Sequence, residues 1–213
     1  MTSPHASAPD APATAGPRGR PMDVRVDDAV IAATTALLAE HGYGALTTAA
    51  IARRAGVSTA SLYRRWSSKE DLVASAARAI VADSLGPVDT GSLAGDLGVL
   101  IGSKIDALSG TLGLVLKTLV GQAAHDPAIA VILEREIADT TAAHIATILD
   151  RAADRGELEP GYTVQDAADL TIALVTTPLL LSADGPAAVS RLVPGHLVTT
   201  VLGTLPRTAP ARR

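Results

Sequence analysis

The stretch from Thr47 to Lys69 constrains this chain more than any other. It contains a short periodic segment, a glycine, a second short segment and the capped start of a third. Thr47 is a good N-cap, because its hydroxyl accepts from one of the first N–H groups that a helix leaves unpaired. Ile51, Ala52 and Ala55 then fall on one face, Gly56 supplies a turn, and Val57 plugs the space between the segments. Ser58 caps the next helix, whose Leu62 and Trp66 stand at i, i+4. Ser68-Lys69-Glu70-Asp71 is a capping box that opens a further helix with Leu72, Val73 and Ala76 inward. These 23 residues carry five basic side chains (Arg53, Arg54, Arg64, Arg65, Lys69) and no acidic one.

Composition places the window in a helical context. Of 213 residues, 47% are apolar, 2% are aromatic and none is Phe, so the core is built from Leu, Val, Ile and Ala. Ala and Leu are strong helix formers, and sustained alternation of apolar and polar residues is missing. The expected class is all-α: an N-terminal helix-turn-helix head of three to four helices, then a C-terminal helical domain.

The expected division is a disordered arm over 1–22, a head over 23–82, a C-terminal helical domain over 90–205, and a disordered tail over 206–213. The arm is rich in Ala, Pro, Ser and Thr without periodicity. At its end Arg18 and Arg20 flank a glycine, a pattern suited to lying in a narrow minor groove. Val26, Val30, Ala33, Leu37 and Leu38 give an amphipathic first helix from Asp23 to about His41, which Gly42 ends. Gly86, Pro87, Gly91 and Gly95 mark the boundary. The body then reads as helices Leu93–Leu108, Leu112–Ala124, one long helix Pro127–Arg155, Val164–Ser182 and Ala187–Leu205, the last containing the stripe Val189, Leu192, Val193, His196, Leu197, Thr200 and Val201.

Charge is unevenly spread. Residues 1–75 hold eight Lys/Arg against seven Asp/Glu, and residues 76–213 ten against fifteen. An acidic body with a basic patch is compatible with nucleic-acid binding through that patch. The absence of cysteine excludes disulfides and thiolate chemistry. The five histidines lack metal-ligand spacing, no glycine-rich phosphate loop is present, and neither an enzyme nor a cofactor is expected. The longest apolar run, Leu170–Leu181, has polar and proline interruptions, and the N-terminus lacks a signal-peptide core, so a cytoplasmic protein without membrane contact is expected.

In a helix-turn-helix, the first helix crosses the DNA backbone and the N-terminus of the second meets base edges in the major groove. Here that N-terminus is Ser58, Thr59, Ala60 and Ser61, small enough for close approach. Thr47 and Thr48 sit where free N–H groups and the helix dipole favour a phosphate. Tyr63 and Arg64 follow within reach of the backbone. Lys69 stands against the dipole of its own helix, and a DNA phosphate is its natural compensator.

Gly42-Tyr43, Thr47, Ile51-Ala52, Ala55-Gly56-Val57-Ser58, Leu62-Tyr63, Trp66 and Lys69-Glu70-Asp71-Leu72, in this order and spacing, resemble the DNA-binding head of the TetR family of bacterial transcriptional regulators. Ala49 and Ala50 depart from the polar residues common there, as do Arg64 and Trp66 from the usual His and Phe. The resemblance implies that the domain over 90–205 is a regulatory domain for ligand binding and dimerisation, and with it a homodimer on a near-palindromic operator, repression by occlusion, and release by a small effector. The alternative is an all-helical adaptor or sensor whose head does not read DNA.

For the effector, an apolar pocket is expected from Leu100, Ile101, Ile105, Leu108, Leu116, Leu119, Val120 and Leu174, with Gln122, His125 and His144 as polar anchors. Such a lining suits a lipophilic ligand. The last two helices are expected to form the dimer interface through Leu174, Val189, Leu192, Val193, His196, Leu197 and Val201.

Overall fold

A computed structural model describes residues 20–82 and 88–206, with side chains from Arg25 to Ala79 and from Val88 onward. Arg18, the Arg20 side chain, the rest of the arm and residues 207–213 lie outside the described residues. Among those described, the chain is all-α.

The head is built from α1 (Arg20–Ala45), α2 (Thr48–Ala55), α3 (Thr59–Tyr63) and α4 (Lys69–Ala82). The helical path of α1 breaks at Gly42, whose φ of 74° is the left-handed conformation that costs glycine least. Tyr43 and Leu46 then fold back into the core. At the end of α2, Gly56 (φ 68°) donates to the Arg53 carbonyl at 3.3 Å and Val57 N–H to that of Ala52 at 3.0 Å. This double bond pattern stops the helix in one step and sets the sharp angle to α3. Ser68 caps α4 by accepting from Asp71 N–H at 3.0 Å. Val30, Leu38, Ile51, Leu62, Leu72 and Val73 are fully buried. Each such side chain contributes about 1.5–3 kcal/mol of transfer free energy.

The body comprises α5 (Leu93–Leu108), α6 (Thr111–Ala123), α7 (Pro127–Leu133), α8 (Thr140–Asp154), α9 (Val164–Leu181), α10 (Pro186–Val189) and α11 (Pro194–Leu202). Its core joins Leu97, Leu100 and Ile101 of α5 to Ile145 and Leu149 of α8, Val175 and Leu179 of α9, and Val201 of α11. One polar network crosses that layer. Asp96 is fully buried, accepts from Thr90 N–H (2.6 Å) and Thr90 Oγ1 (2.8 Å), and pairs with Arg155 at 3.1 Å. Burial works against its charge, but the Thr90 and Arg155 contacts hold the carboxyl below its ordinary value. Arg155 also pairs with Glu157, whose second oxygen accepts from Leu93 N–H, tying the start of α5 to the end of α8.

Three features depart from the sequence reading. The single long helix expected over Pro127–Arg155 contains a π segment, Glu134–Asp139, between α7 and α8. The last expected helix is split, because Pro194 starts α11 after an extended Val193, leaving α10 only four residues long. The head's core is not its own: Val115 and Leu119 of α6 and Ile129 and Ile132 of α7 belong to the same cluster as Leu38 and Ile51. Accordingly α1 packs along α6, and α4 against α7 and the π segment. α9 runs through Pro178 without a break and is long and apolar enough to cross a membrane, yet Ala167, Ala168, Thr171, Val175 and Leu179 are buried within the chain.

Candidate nucleic-acid interface

Leu62 pins α3 to the head, and Trp66 follows it into the core, its indole N–H donating to Ser75 Oγ at 3.0 Å. The opposite side of α3 is left open. Ser58 accepts from Ser61 N–H at 3.1 Å, which fixes its hydroxyl at the cap and leaves its O–H free to donate outward. Thr59 and Ala60 are exposed and Ser61 half-buried. The start of α3 therefore presents a smooth, small-residue surface with the positive end of a helix behind it.

The start of α2 meets the end of α3 beside this surface. Thr47 accepts from Ala50 N–H at 3.1 Å, and the first N–H groups of the helix have no intrahelical partner. Thr48 Oγ1 and the Tyr63 hydroxyl share a hydrogen bond of 2.9 Å, although Tyr63 is 54% exposed. Two hydroxyls and free N–H groups on one ledge suit an anion such as a phosphate.

The basic window does not stay free of acids in space. Arg54 makes a two-pronged pair with Glu40 of α1, at 2.5 and 2.6 Å, and Arg65 pairs with Asp27 at 2.8 Å. The Arg54 hydrogen bonds hold Glu40 below its ordinary pKa. Lys69, expected to need a phosphate, already has a tether: its ammonium lies 3.8 Å over the Tyr43 ring, a cation–π contact. The Tyr43 hydroxyl donates to Glu70 at 2.6 Å. Burial, then that carboxylate, raises the tyrosine's pKa, while the hydrogen bond lowers that of Glu70. Arg53 and Arg64 are exposed, with Arg64 within 3.2 Å of the Ser61 hydroxyl. The sequence reading selected Arg64 and missed Arg53, which is exposed too and whose place at i−3 from Gly56 on the face opposite Ile51 was the available signal.

Profiles of known families match on both sides of residue 80. That of the bacterial regulatory proteins of the tetR family covers 30–76, and that of the tetracyclin repressor-like C-terminal domain covers 87–201. The chain belongs to the TetR family. It is a helix-turn-helix transcriptional regulator, and DNA is its partner. A DNA-binding transcriptional repressor TetR of Mycobacteroides abscessus is 31% identical over 180 residues, 81% of this chain and 92% of that protein. An HTH-type transcriptional regulator of Mycobacterium tuberculosis is 34% identical over 141 residues, 66% of this chain and 69% of that one. Among solved structures, GusR of Salmonella enterica superposes with a TM-score of 0.67 at 19% identity, over 88% of this chain and 98% of its own, a likeness of fold.

In this TetR-family body a partly open cavity of about 50 Å³ is lined by the half-buried Lys104 together with Leu108, Leu112, Leu116, Ile137, Thr141 and neighbouring residues of α9. A more open cleft of about 260 Å³ shares Leu116, Ile137, Ile172 and Thr176 with it and adds Val120, Leu133, Glu134 and Leu180. Of the residues expected around an effector, Leu108, Leu116 and Val120 line these spaces. Leu100, Ile101 and Ile105 are instead spent on the body's core, and Leu119 on the head's. Leu174 packs on the core beside the cavity, His125 is exposed on the turn after α6, and Gln122 and His144 are half-buried on α6 and α8. Sequence reasoning missed Lys104, although it stands at i+3 and i+4 from Ile101 and Leu100 on an otherwise apolar stripe.

Of the expected interface residues, Val189 and Val201 are completely buried in the chain's own core and offer nothing to a partner. Leu174, Leu192 and Leu197 are partly buried against that core. Val193 (52% exposed) and His196 face outward, as does Leu181 (83% exposed) at the end of α9.

Proposed function

We propose that the protein is a repressor that binds a near-palindromic operator as a homodimer and is released by a small, apolar effector. The observation that carries this reading is the open N-terminus of α3 beside the Thr48–Tyr63 hydroxyl pair, with a separate apolar cavity in the body. Ser58, Thr59, Ala60 and Ser61 read base edges, while Thr47, Thr48, Tyr63, Arg64 and Lys69 hold phosphates, which position the head without specifying sequence. Arg18 and Arg20 enter the adjacent minor groove. The partner contact runs through the exposed edge of α9 and α11, including Leu181, Val193 and His196. The protein acts in the cytoplasm by binding alone and turns over no substrate.

Release needs a path from cavity to head, and Ile137 supports one. It lines both spaces and lies in the π segment, whose Glu136 pairs with Arg78 of α4 at 3.5 Å. π segments insert a surplus residue into an α-helical path and recur at functional sites. An effector that favours one arrangement of this segment shifts α4, and with it α3, by its difference in affinity for the two states, about 1–3 kcal/mol in comparable systems.

Footprinting on DNA upstream of the coding region tests the reading. Two protected half-sites with centres one helical turn apart, surviving competitor DNA, are expected. Protection lost to competitor DNA at the same salt would refute specific reading.

A further inference from the structure

We infer that the effector is an amphipathic monocarboxylate, its acid group held by Lys104 inside the body and its apolar tail lying along the cleft between α6, the π segment and α9. This rests on the reading of that cavity as the effector site. Lys104 projects from α5 into a lining otherwise made of Leu, Ile, Val, Ala and Thr side chains. An ammonium has three protons to donate. One goes to Thr141 Oγ1 at 3.0 Å, and Thr141 in turn spends its own proton on the Ile137 carbonyl at 2.7 Å. No carboxylate pairs with Lys104 among the described residues, unlike Arg54, Arg65, Arg155 and Arg191, each of which has one. A cation in an apolar wall without a counter-ion is a large cost unless a ligand supplies the anion.

A second polar group is left incomplete beside it. His144 stands one turn beyond Thr141 on α8, and its Nδ1 is buried without a hydrogen-bond partner. Burial first, and the Lys104 charge second, lower the His144 pKa, which puts the two groups within electrostatic reach of each other. A carboxylate offers two oxygens with about four acceptor positions, enough for the two remaining Lys104 protons, while His144, one turn further along α8 and outside both linings, adds a neutral polar group rather than a competing charge.

The outer cleft decides the rest of the ligand. Leu116, Val120, Leu133, Ile137, Ile172 and Leu180 line it, so the tail is hydrocarbon. Glu134 on the same lining opposes a second negative group, which restricts the ligand to one acid end. The cleft alone, at about 260 Å³, comes close to the roughly 300 Å³ at which small-molecule pockets begin.

The test measures binding to the full-length protein by calorimetry, with octanoate and 4-butylbenzoate each set beside its neutral alcohol, 1-octanol and 4-butylbenzyl alcohol. At least one acid should bind tenfold or more tightly than its alcohol. Lys104→Met should remove that preference, bringing the acid to the level of the alcohol while leaving alcohol binding unchanged. Equal affinity of acid and alcohol, or an acid preference that survives in K104M, would overturn the role of Lys104 and leave the cavity as a ligand site. Failure of all four probes to bind would overturn the effector-site reading along with it.

Discussion

An apolar cavity that awaits an anion should leave the ligand-free protein less stable than it needs to be, and Lys104→Met measures by how much. Burial pushes the Lys104 pKa down from 10.5 to about 8. At about 1.4 kcal/mol per pH unit, holding the ammonium charged there at neutral pH costs roughly 3 kcal/mol. The hydrogen bond to Thr141 returns about 1.5 kcal/mol, the usual worth of a bond from a charged donor. Met has a similar length, carries no charge and adapts to irregular space, and Thr141 keeps its bond to the Ile137 carbonyl. The variant should therefore gain roughly 1–2 kcal/mol at pH 7, or a few degrees in Tm for a chain of this size. Urea unfolding followed by circular dichroism, at equal protein concentration and without ligand, reads this directly.

The pH dependence has a fixed sign. Between pH 8 and 10.5 the unfolded chain keeps the Lys104 proton and the folded one releases it, so wild-type stability rises with pH across that window. K104M lacks this contribution, and its advantage should shrink by pH 10. His144 on α8, with its lowered pKa, is neutral throughout the window, and Glu134 on the cleft is common to both proteins. A variant less stable than wild type at pH 7, or a gap that stays constant to pH 10, would show that the ammonium is already satisfied.

Three other substitutions probe separate regions. Thr48→Val with Tyr63→Phe removes both hydroxyls of the ledge and should weaken operator binding roughly tenfold, two hydrogen bonds at about 0.5–1.5 kcal/mol each, with unchanged stability. Unaltered affinity in fluorescence anisotropy would remove those hydroxyls from the interface. Arg155→Ala strands the buried Asp96 carboxylate and should cost about 3 kcal/mol in urea unfolding at pH 7. Because the Asp96 pKa is lowered on folding, that stability is present above the ordinary carboxyl range and fades as pH falls through the folded value, so the gap should narrow in acid; a constant gap refutes the pairing. Leu181→Asp with Val193→Asp alters only exposed positions and should yield monomers by light scattering with unchanged circular dichroism; a persistent dimer would put the contact elsewhere.

The parts of this fold that were legible in the sequence are those fixed by neighbours in the chain. Thr47, Ser58 and Ser68 cap their helices through bonds to residues three further on, and Gly56 stops α2 by its own backbone freedom. Pairings between distant segments were not legible. Glu40 and Asp27 lie on the first helix and give no hint, within the Thr47–Lys69 window, that they neutralise Arg54 and Arg65. The π segment leaves no mark in a periodic reading, because one surplus residue merely rotates the stripe from Ile132 to Ile145. Pro194 was readable as a break, since a proline removes a helical hydrogen bond, but the Leu and Val stripe around it outweighed that signal. Lys104 escaped because a lysine is ordinarily assigned to the solvated face, which its place in the apolar stripe contradicts.

The core shared by α1, α2, α6 and α7 bears on how such a protein can be recombined. A graft that joins this head to another body at the segment between α4 and α5 would cut that core in two. Leu38 and Ile51 would lose Leu119 and Ile129, and each side would expose apolar surface that its new partner was not shaped to cover. A chimera that also carries the facing positions of α6 and α7, Val115, Leu119, Ile129 and Ile132, keeps the layer whole. The exchangeable unit is then discontinuous in the chain, and its seam runs between α6 and the rest of the body, through the cavity wall at Leu116 and Val120.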